Sequence, residues 1–412
     1  MISILILLSV FILVAIRQVG KLKLEIWHSM TFGAIACLLT GQITPIDALK
    51  SVNLDIILFL FGMFVIGVGL EESGYLSHIS FNIFKNAKNY NELMFLILFV
   101  VGFSSAFLMN DTLAIIGTPV ALHLSKKHNT SPKLLLLALA FAVTIGSVMS
   151  PIGNPQNLLI ALEGNIKNPF VIFFKFLLIP TIINLIITFF ILKYFYKDNF
   201  QLNSLNHSYE PIKNKELVKL SKISLILIFI LISLKIAIVF FEINFDFKLT
   251  YISLVSSSPL LILSKNKRRI LKNVDWKTLI FFISMFILMQ SVWNSGFIQK
   301  LIINMNVNIT NLLMIFIVSI VLSQFISNVP LVALYLPMLL EAGASSKEII
   351  ALAASSTIAG NLFILGAAST VIIVQNAEKR SNETITFLEF ARVGIPLTIL
   401  NAAVYYVYLS FF

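Results

Sequence analysis

Two apolar stretches, far apart in the chain, are interrupted by the same pattern of polar residues. The first reads LMNDTLAIIGTP from Leu108 to Pro119, and the second ISNVPLVALYLP from Ile326 to Pro337. In each, an Asn (Asn110, Asn328) breaks an apolar run and a Pro (Pro119, Pro337) follows nine residues later. A Phe (Phe107, Phe325) and a Ser (Ser105, Ser323) precede each Asn at matching distances. A second interruption then follows: GSVMSPIGNPQN over 146–157 and GNLFILGAAST over 360–370. Inside hydrocarbon every backbone N–H and C=O needs a partner, so non-helical backbone survives there only within protein or beside a water-filled cavity. Interrupted apolar segments in corresponding positions of two halves therefore mark a transport site.

That argument requires a membrane, and composition supplies one. The chain is 58% hydrophobic and 12% charged, with a mean hydropathy of +0.94; a soluble chain is about half apolar and about a quarter charged. Many runs approach the ~20 apolar residues that cross a bilayer. Spans are expected near 2–16, 24–40, 54–70, 134–162, 171–195, 222–241, 249–264, 278–294, 348–377 and 393–412. The Asn-centred segments, near 93–125 and 311–341, read as re-entrant hairpins that enter and leave on one side. The run 2–16 lacks a basic flank and a small-residue cleavage site, and reads as the first span rather than a removed signal.

This layout sorts the basic residues. One side collects those in 17–23, 85–133, 193–222, 265–277 and 379–392. The other holds only Lys50, Lys167, Lys175, Lys248, Lys300 and Lys347, while Lys235 lies inside a span, where it can snorkel. The basic side is cytoplasmic by the positive-inside rule. The net charge of +11 thus reports topology, and no nucleic-acid partner is expected. A hairpin that crossed fully would put the downstream basic loops on the wrong side.

The polar, basic stretch 197–220, containing Pro211, is the one long linker and is expected to be cytoplasmic. It separates residues 1–196 from 221–412, each with five spans and one hairpin. An odd number of spans gives the halves opposite orientations, an inverted-topology repeat. Met63-Phe64 followed by Ser73-Gly74-Tyr75 matches Met285-Phe286 followed by Ser295-Gly296-Phe297 at equal spacing. The expected fold is an all-α polytopic membrane protein with about ten transmembrane helices, two re-entrant hairpins and two broken helices (134–162 and 348–377).

The interruptions carry the chemistry. Tips at Asn110-Asp111-Thr112 and Ser327-Asn328-Val329-Pro330 expose amides at membrane depth, and Pro330 biases Val329 away from helix. The half-helix after each tip points its N-terminus at the site, which favours an anion. Pro151, Gly153 and Pro155 break the next span and leave Asn154, Gln156 and Asn157 within it. Asn361, Gly366, Ser369 and Thr370 play the matching part with less severe breakage. Carbonyls freed by unwinding suit Na⁺ at one or two coupling-ion sites. Any one such break reads as a kink or an interhelical hydrogen bond; four in two ordered pairs read as a site. Asp111, an acid at depth, is functional by default: a proton carrier, a Na⁺ ligand, a substrate contact, or a cap on the following half-helix. Asp55, Glu71, Glu72 and Asp275 fall at span ends and read as interfacial.

Several classes are excluded. The single Cys37 forbids an intramolecular disulfide framework, a multi-cysteine metal site and a three-thiolate arsenic site within one subunit. There is no HExxH or CxxC for catalytic zinc, and no nucleophile–base constellation for a membrane-embedded enzyme. Without a Walker motif, ATP coupling would need a separate ATPase subunit, which nothing in the sequence indicates.

On these residues the chain resembles, over essentially its whole length, the ion transporter superfamily of arsenite permeases, citrate and dicarboxylate transporters and NhaD-type Na⁺/H⁺ antiporters. Dicarboxylate transporters of that family carry a Ser-Asn-Thr-like tip in each hairpin; both tips here keep Asn, and neither is a full Ser-Asn-Thr. The Asn110-Asp111 pair and the run from Ser150 to Asn157 look like the arsenite-permease and anion-permease branch. The resemblance implies substrate contacts at Asn110, Thr112 and Asn328, with Ser369 and Thr370 nearby. Asp111 and Ser327 join them from the tips. It also implies coupling-ion coordination around the hairpin–broken-helix pairs, at Asn110, Gly153, Asn154, Asn157, Asn328, Asn361 and Gly366. The expected function is secondary active transport of a small anion, of the arsenite type or a carboxylate, coupled to Na⁺ or H⁺. The alternative is a Na⁺/H⁺ antiporter with Asp111 as the titrating group. The expected partners are a small-molecule anion and the bilayer of the cell membrane, with a homodimer as the oligomer, and no cofactor beyond bound Na⁺.

Overall fold

In a computed structural model of the chain, the residues described are 2–16, 18–19, 22–128, 130–201, 212–241, 243, 247–297, 300, 309–381 and 384–412. Most of the expected linker, 202–211, lies outside them. Among the described residues the only strands are the two-residue β1 (Gln18–Val19) and β2 (Leu22–Lys23), paired antiparallel with Gln18 opposite Lys23. Everything else that is regular is helix.

The first half runs α1 (Ile2–Ile16), α2 (Ile26–Leu39), α3 (Pro45–Ser51), α4 (Leu54–Glu72), α5 (Tyr75–Phe84), α6 (Tyr90–Leu96) and α7 (Gly102–Leu108). A wide π turn at Ile97–Val101 joins the last two into one rod. Then come α8 (Asn110–His128), α9 (Pro132–Ser147), α10 (Pro155–Glu163) and α11 (Pro169–Phe195). The second half contains α12 (Lys215–Phe240), α13 (Leu249–Ser258, continued by a π turn to Leu263), α14 (Lys267–Asn273) and α15 (Trp276–Asn294). It continues with α16 (Leu312–Ile326), α17 (Asn328–Glu341), α18 (Ser346–Ile358), α19 (Ala368–Ser381) and α20 (Phe387–Ser410). The short α3, α5 and α14 were not among the expected elements.

Among the described residues six helices are long and apolar enough to cross a membrane: Leu54–Glu72, Tyr90–Leu108, Pro169–Phe195, Lys215–Ile238, Trp276–Asn294 and Phe387–Ser410. The rod Tyr90–Leu108 was expected as one arm of a hairpin, and its 19 residues rise about 28 Å at 1.5 Å per residue. The arms of the second hairpin, α16 and α17, are shorter at 15 and 14 residues.

The side chains are distributed as lipid demands. Ile179, Ile183, Ile186 and Phe190 form an exposed stripe on α11, while its buried face carries Thr181, Asn184 and Thr188. Apolar outside and polar inside is stable only where the surroundings are hydrocarbon and polar groups must find partners within the protein. Those partners exist. Thr181 Oγ1 meets the Tyr405 hydroxyl at 2.7 Å, and Asn401 Nδ2 donates to Asn184 Oδ1 at 3.0 Å, joining α11 to α20.

The short Ser-Gly repeat turns out to be a stop signal. α4 and α15, 19 residues each, both end in it, with Ser73 and Ser295 capping and Gly74 (φ 76°) and Gly296 (φ 65°) turning the chain away in the left-handed region glycine tolerates. Both helices also start alike: Asn53 Oδ1 accepts from the Ile56 N–H and Asp275 Oδ1 from the Thr278 N–H.

The core is centred on the two broken helices. Every residue of α9 from Leu134 to Ser147, and of α18 from Ile349 to Ile358, is buried. α9 lies against α7 so closely that a Cβ on Gly146 would fall 2.0 Å from the Gly102 carbonyl oxygen. α18 packs likewise against α16 and α17. The second limbs cross over: α10 packs on α17, and α19 on α8. Each broken helix therefore reaches the hairpin of the other half.

Candidate functional site

The second hairpin bends at Ser327, the first residue of its expected tip, and the first bends at Met109, directly before Asn110. Met109 (φ 66°, ψ 144°) and Ser327 (φ 69°, ψ 161°) make the bend, and Asn110 and Asn328 are already the first residues of α8 and α17. Neither hinge is glycine, so each holds strain of about 1–3 kcal/mol. Val329 is helical, contrary to expectation, because Pro330 sits in the first turn of α17, where its missing N–H would have no partner anyway. Pro119 and Pro337 lie within the following helices.

The first break, 148–154, is braced from inside. Asn154 caps α10 by accepting from the Asn157 N–H at 2.9 Å, and its Nδ2 donates to Ser147 Oγ (3.0 Å) and Thr357 Oγ1 (3.2 Å). The Asn157 Nδ2 gathers the carbonyls of Ser147, Val148 and Ser150 at 3.1–3.2 Å. Both amides thus restore partners to unwound backbone. The hairpin tip is tied on directly, since the Asn110 N–H donates to the Gly153 carbonyl at 2.9 Å.

The second break, 359–367, is no milder than the first: two short 3₁₀ turns, Ala359–Asn361 and Ile364–Gly366, separate α18 from α19. The anchor here is a side chain. Gln324 Nε2 donates to the Ala359 carbonyl at 2.9 Å. Asn361 Nδ2 donates to Asn401 Oδ1 at 3.3 Å.

A cavity of about 630 Å³ gathers these parts. Its wall includes Met109, Asn110 and Asp111 from one tip and Ser327, Asn328, Val329 and Pro330 from the other. Pro155 and Gln156 open α10, and Ala367 and Ala368 open α19. Four helices (α8, α10, α17 and α19) therefore begin at this one wall. Much of the remaining lining is apolar, with Phe59, Phe282, Met285, Phe286, Met289 and Trp293. Ser51, Asn53, Asp55 and Lys248 also line the cavity, and Lys248 Nζ lies 2.9 Å from Asp55 Oδ2.

Of the expected substrate residues, Asn110, Asp111, Ser327 and Asn328 line the cavity, while Thr112, Ser369 and Thr370 are buried just behind it. The expected ion residues Asn154, Asn157 and Asn361 are fully buried in the breaks that flank it, and Gly153 and Gly366 lie in the same two breaks. Asn110 Oδ1, Asp111 Oδ1, Asn328 Oδ1, Asn361 Oδ1, Ser369 Oγ and Thr370 Oγ1 are buried without a hydrogen-bond partner, although buried polar atoms are normally paired. For Asp111 this weakens the capping reading. Gln156 and Lys235 depart from the sequence reading, and Asp55 keeps its expected place at a span end while also lining the cavity. Gln156 donates from Nε2 to Thr357 Oγ1 at 3.4 Å. Lys235 does not snorkel to the surface: it is 7% exposed, and its Nζ donates to the Phe247 carbonyl. A lysine within an apolar span was itself the available signal for Lys235.

A family described as citrate transporter matches residues 9–358. The putative transporter arsB of Dictyostelium discoideum is 25% identical, covering 90% of this chain and 85% of its own length. The silicon efflux transporter LSI3 of Oryza sativa is 35% identical over a shorter region, 33% of this chain and 28% of that one. The solved YdaH transporter of Alcanivorax borkumensis is similar at a TM-score of 0.48 and 14% identity, covering 99% of this chain and 96% of that one.

Proposed function

Because the chain belongs to the citrate transporter family, we propose that it is a secondary active transporter that carries a small anion through this cavity by alternating access, coupled to Na⁺ or H⁺. The family is one of transporters, not enzymes, and the protein is a multi-pass integral membrane protein. The observation that carries the reading is the convergence of four helix N-termini, at Asn110, Pro155, Asn328 and Ala368, on one wall. Each brings the positive end of a helix dipole, about half a charge, although the Asn110 and Asn157 N–H groups are already taken by the Gly153 carbonyl and Asn154. Together the four ends favour an anion without an arginine.

The unpartnered oxygens of Asn110, Asp111 and Asn328 are acceptors, suited to a coupling cation or to substrate hydroxyls. Na⁺ is assigned to the carbonyl-rich breaks, around Gly153, Asn154 and Asn157 and around Asn361 and Gly366. Among the described residues the wall contains no Arg, and its lysines are engaged, Lys235 by a carbonyl and Lys248 by Asp55. That favours a substrate of low charge, an arsenite-type hydroxide or a small carboxylate, over a highly charged one. The silicon efflux relative widens the range beyond citrate in the same direction.

Residues 1–196 and 221–412 are read as inverted repeats joined by a cytoplasmic linker. The matched order of hairpin, broken helix and long final helix in each half supports this. Ser51, Asn53, Asp55 and Lys248, which also line the cavity, then fall toward the side poor in basic residues. Proteoliposome uptake of arsenite, phosphate and carboxylates, with and without Na⁺ and pH gradients, tests the reading. Gradient-driven uptake of at least one anion is expected, and uptake of none of them would overturn it.

One observation favours a second reading. Asp111 is 6% exposed, lines the cavity and has a carboxylate oxygen without a partner, as the titrating group of a Na⁺/H⁺ antiporter would. Proton flux driven by Na⁺ in the absence of any anion, lost in Asp111→Asn, would decide for the antiporter.

A further inference from the structure

One largely buried cation lies away from the cavity. Arg380, in the last turn of α19, has a side chain 16% exposed and ion-pairs with Glu71 at the end of α4. Its Nε donates to Asn376 Oδ1 at 3.3 Å. A guanidinium cannot accept a hydrogen bond, so this contact fixes which way the Asn376 amide faces. The Asn376 Nδ2 is then left without a partner, although the residue is 1% exposed. A buried donor with no acceptor is costly, and here it stands beside a guanidinium.

Positions 369, 376 and 380 follow one another by seven and four residues and so share one stripe of α19. Ser369, whose buried hydroxyl also lacks a partner, starts that stripe next to the cavity-wall residue Ala368. From Ser369 to Arg380 the helix rises about 16 Å. The stripe leads from beside the cavity-lining Ala368 to the basic last turn of the helix, Lys379 and Arg380. Along it the donors strengthen from hydroxyl to amide to guanidinium.

The neighbouring acids are committed elsewhere, Glu378 on α19 itself by accepting from Thr384 Oγ1. Glu72 accepts from Arg269 Nε at 2.9 Å and from Asn273 Nδ2 at 2.6 Å, and Asp275 accepts from Thr278 at the start of α15. Lys379 donates to the Val274 carbonyl at 2.8 Å. Glu71 alone among them faces Arg380 as an ion-pair partner.

We propose that Arg380 and Asn376 form a second anion station at the cytoplasmic end of the transport path, suited to a carboxylate or a tetrahedral oxyanion. The Glu71 carboxylate occupies it in this conformation as a tethered plug. The assignment rests on the anion-transport reading above. Asp55, at the other end of α4, lines the cavity, so one helix joins the plug to the cavity. An anion arriving along α19 and the Glu71 carboxylate compete for the same guanidinium. Filling the station and unplugging the path are then one event.

The test is binding to purified, detergent-solubilised protein, read as the rise in thermal midpoint with added citrate and, separately, with inorganic phosphate. Removing the tethered competitor in Glu71→Gln is expected to tighten the apparent affinity for one of these anions by about tenfold. The double variant Glu71→Gln/Arg380→Gln is expected to lose that gain. Equal affinities in the wild type and Glu71→Gln, or a gain that survives loss of Arg380, overturn the station. The charge swap Glu71→Arg/Arg380→Glu restores an ion pair, and should recover the midpoint without anion while failing to show the gain of Glu71→Gln. A swap that binds anion as tightly as Glu71→Gln would mean that Arg380 is not needed in place, and would also overturn it. These are binding measurements and stand apart from transport. If wild-type proteoliposomes move no anion while Glu71→Gln gains affinity, the transport reading falls and the station remains.

Discussion

At Met109 the chain bends with φ 66° and ψ 144°, and at Ser327 with φ 69° and ψ 161°, so the two hairpin tips share one backbone path. What is attached to that path differs. The first tip continues into Asn110-Asp111 and is bound through its own backbone N–H to the Gly153 carbonyl. The second continues into Asn328-Val329-Pro330 and is held near its break by the Gln324 side chain on the Ala359 carbonyl. The duplicated feature is the set of helix N-termini around the cavity, which requires only backbone. The unduplicated feature is the acid. A rigid first half that carries the charge and a softer second half that does not is the arrangement to test.

The largest difference is expected at the glycines of the two breaks. A methyl on Gly153 would lie 2.2 Å from the Ser147 carbonyl oxygen and 2.8 Å from its Cα, backbone atoms of the same tight turn. On Gly366 the nearest atom would be the Gln324 side-chain Oε1 at 2.8 Å, with the Ala359 carbonyl oxygen at 2.9 Å. Gly153→Ala should exceed the ~1–3 kcal/mol usual for overpacking and yield little monodisperse protein, while Gly366→Ala should stay within that range. Thermal midpoints and size-exclusion profiles compare the two. Equal losses would break the distinction between a rigid and a softer break.

The braces come next. Asn157→Ala strands three buried carbonyls, and each orphaned buried group costs about 1–3 kcal/mol before water relieves it. Gln324→Ala strands one carbonyl in the second break, that of Ala359, and should cost about 1–2 kcal/mol. Thermal or denaturant unfolding that ranks Gln324→Ala as the more harmful would reverse the comparison.

The two tips are expected to separate in function at the residue after each Asn. Asp111→Asn should lower ion-driven transport by about tenfold or more, whereas Val329→Asn at the corresponding position should leave it within about twofold. If both variants lose transport alike, the tips are equivalent and the acid is incidental.

Much of this plan is legible in the sequence because lipid makes the rules strict. Each apolar run near 2–16, 26–39, 54–72 and 169–195 becomes a helix within a few residues of its expected ends. The Asn and Pro pairing led to both tips for the same reason: a polar residue at depth has to be explained. Met109, a methionine in an apolar run, gives no turn signal of its own, and the bend falls on it because Asn110 starts α8. The second break looked mild because it has no proline; its unwinding rests on two 3₁₀ turns that end at Asn361 and Gly366. Lys235 was misread because snorkelling depends on where a span ends, and Phe247 supplies its carbonyl from beyond the end of α12. The cavity itself could not be read at all. It exists because α10 crosses to α17 and α19 to α8, which is tertiary information.

The smallest expected effect tests the hinges, and there the two halves should differ in sign. Glycine would relieve a positive-φ strain of about 1–3 kcal/mol at either position, less about 0.5–1 kcal/mol for its greater freedom in the unfolded chain. Ser327 is only partly buried and its side chain caps nothing, so Ser327→Gly should stabilise the protein by about 1 kcal/mol. Met109 is 4% exposed, and removing its side chain forfeits packing worth about 2 kcal/mol, the low end for a buried methionine because one face meets the cavity. Met109→Gly should therefore lower the thermal midpoint while Ser327→Gly raises it. A rise in both would mean that strain dominates at each hinge and that Met109 packs against little. A fall in both would mean that the bends cost almost nothing, and that the shared backbone path is held by the helices on either side of it and not by the hinge residues.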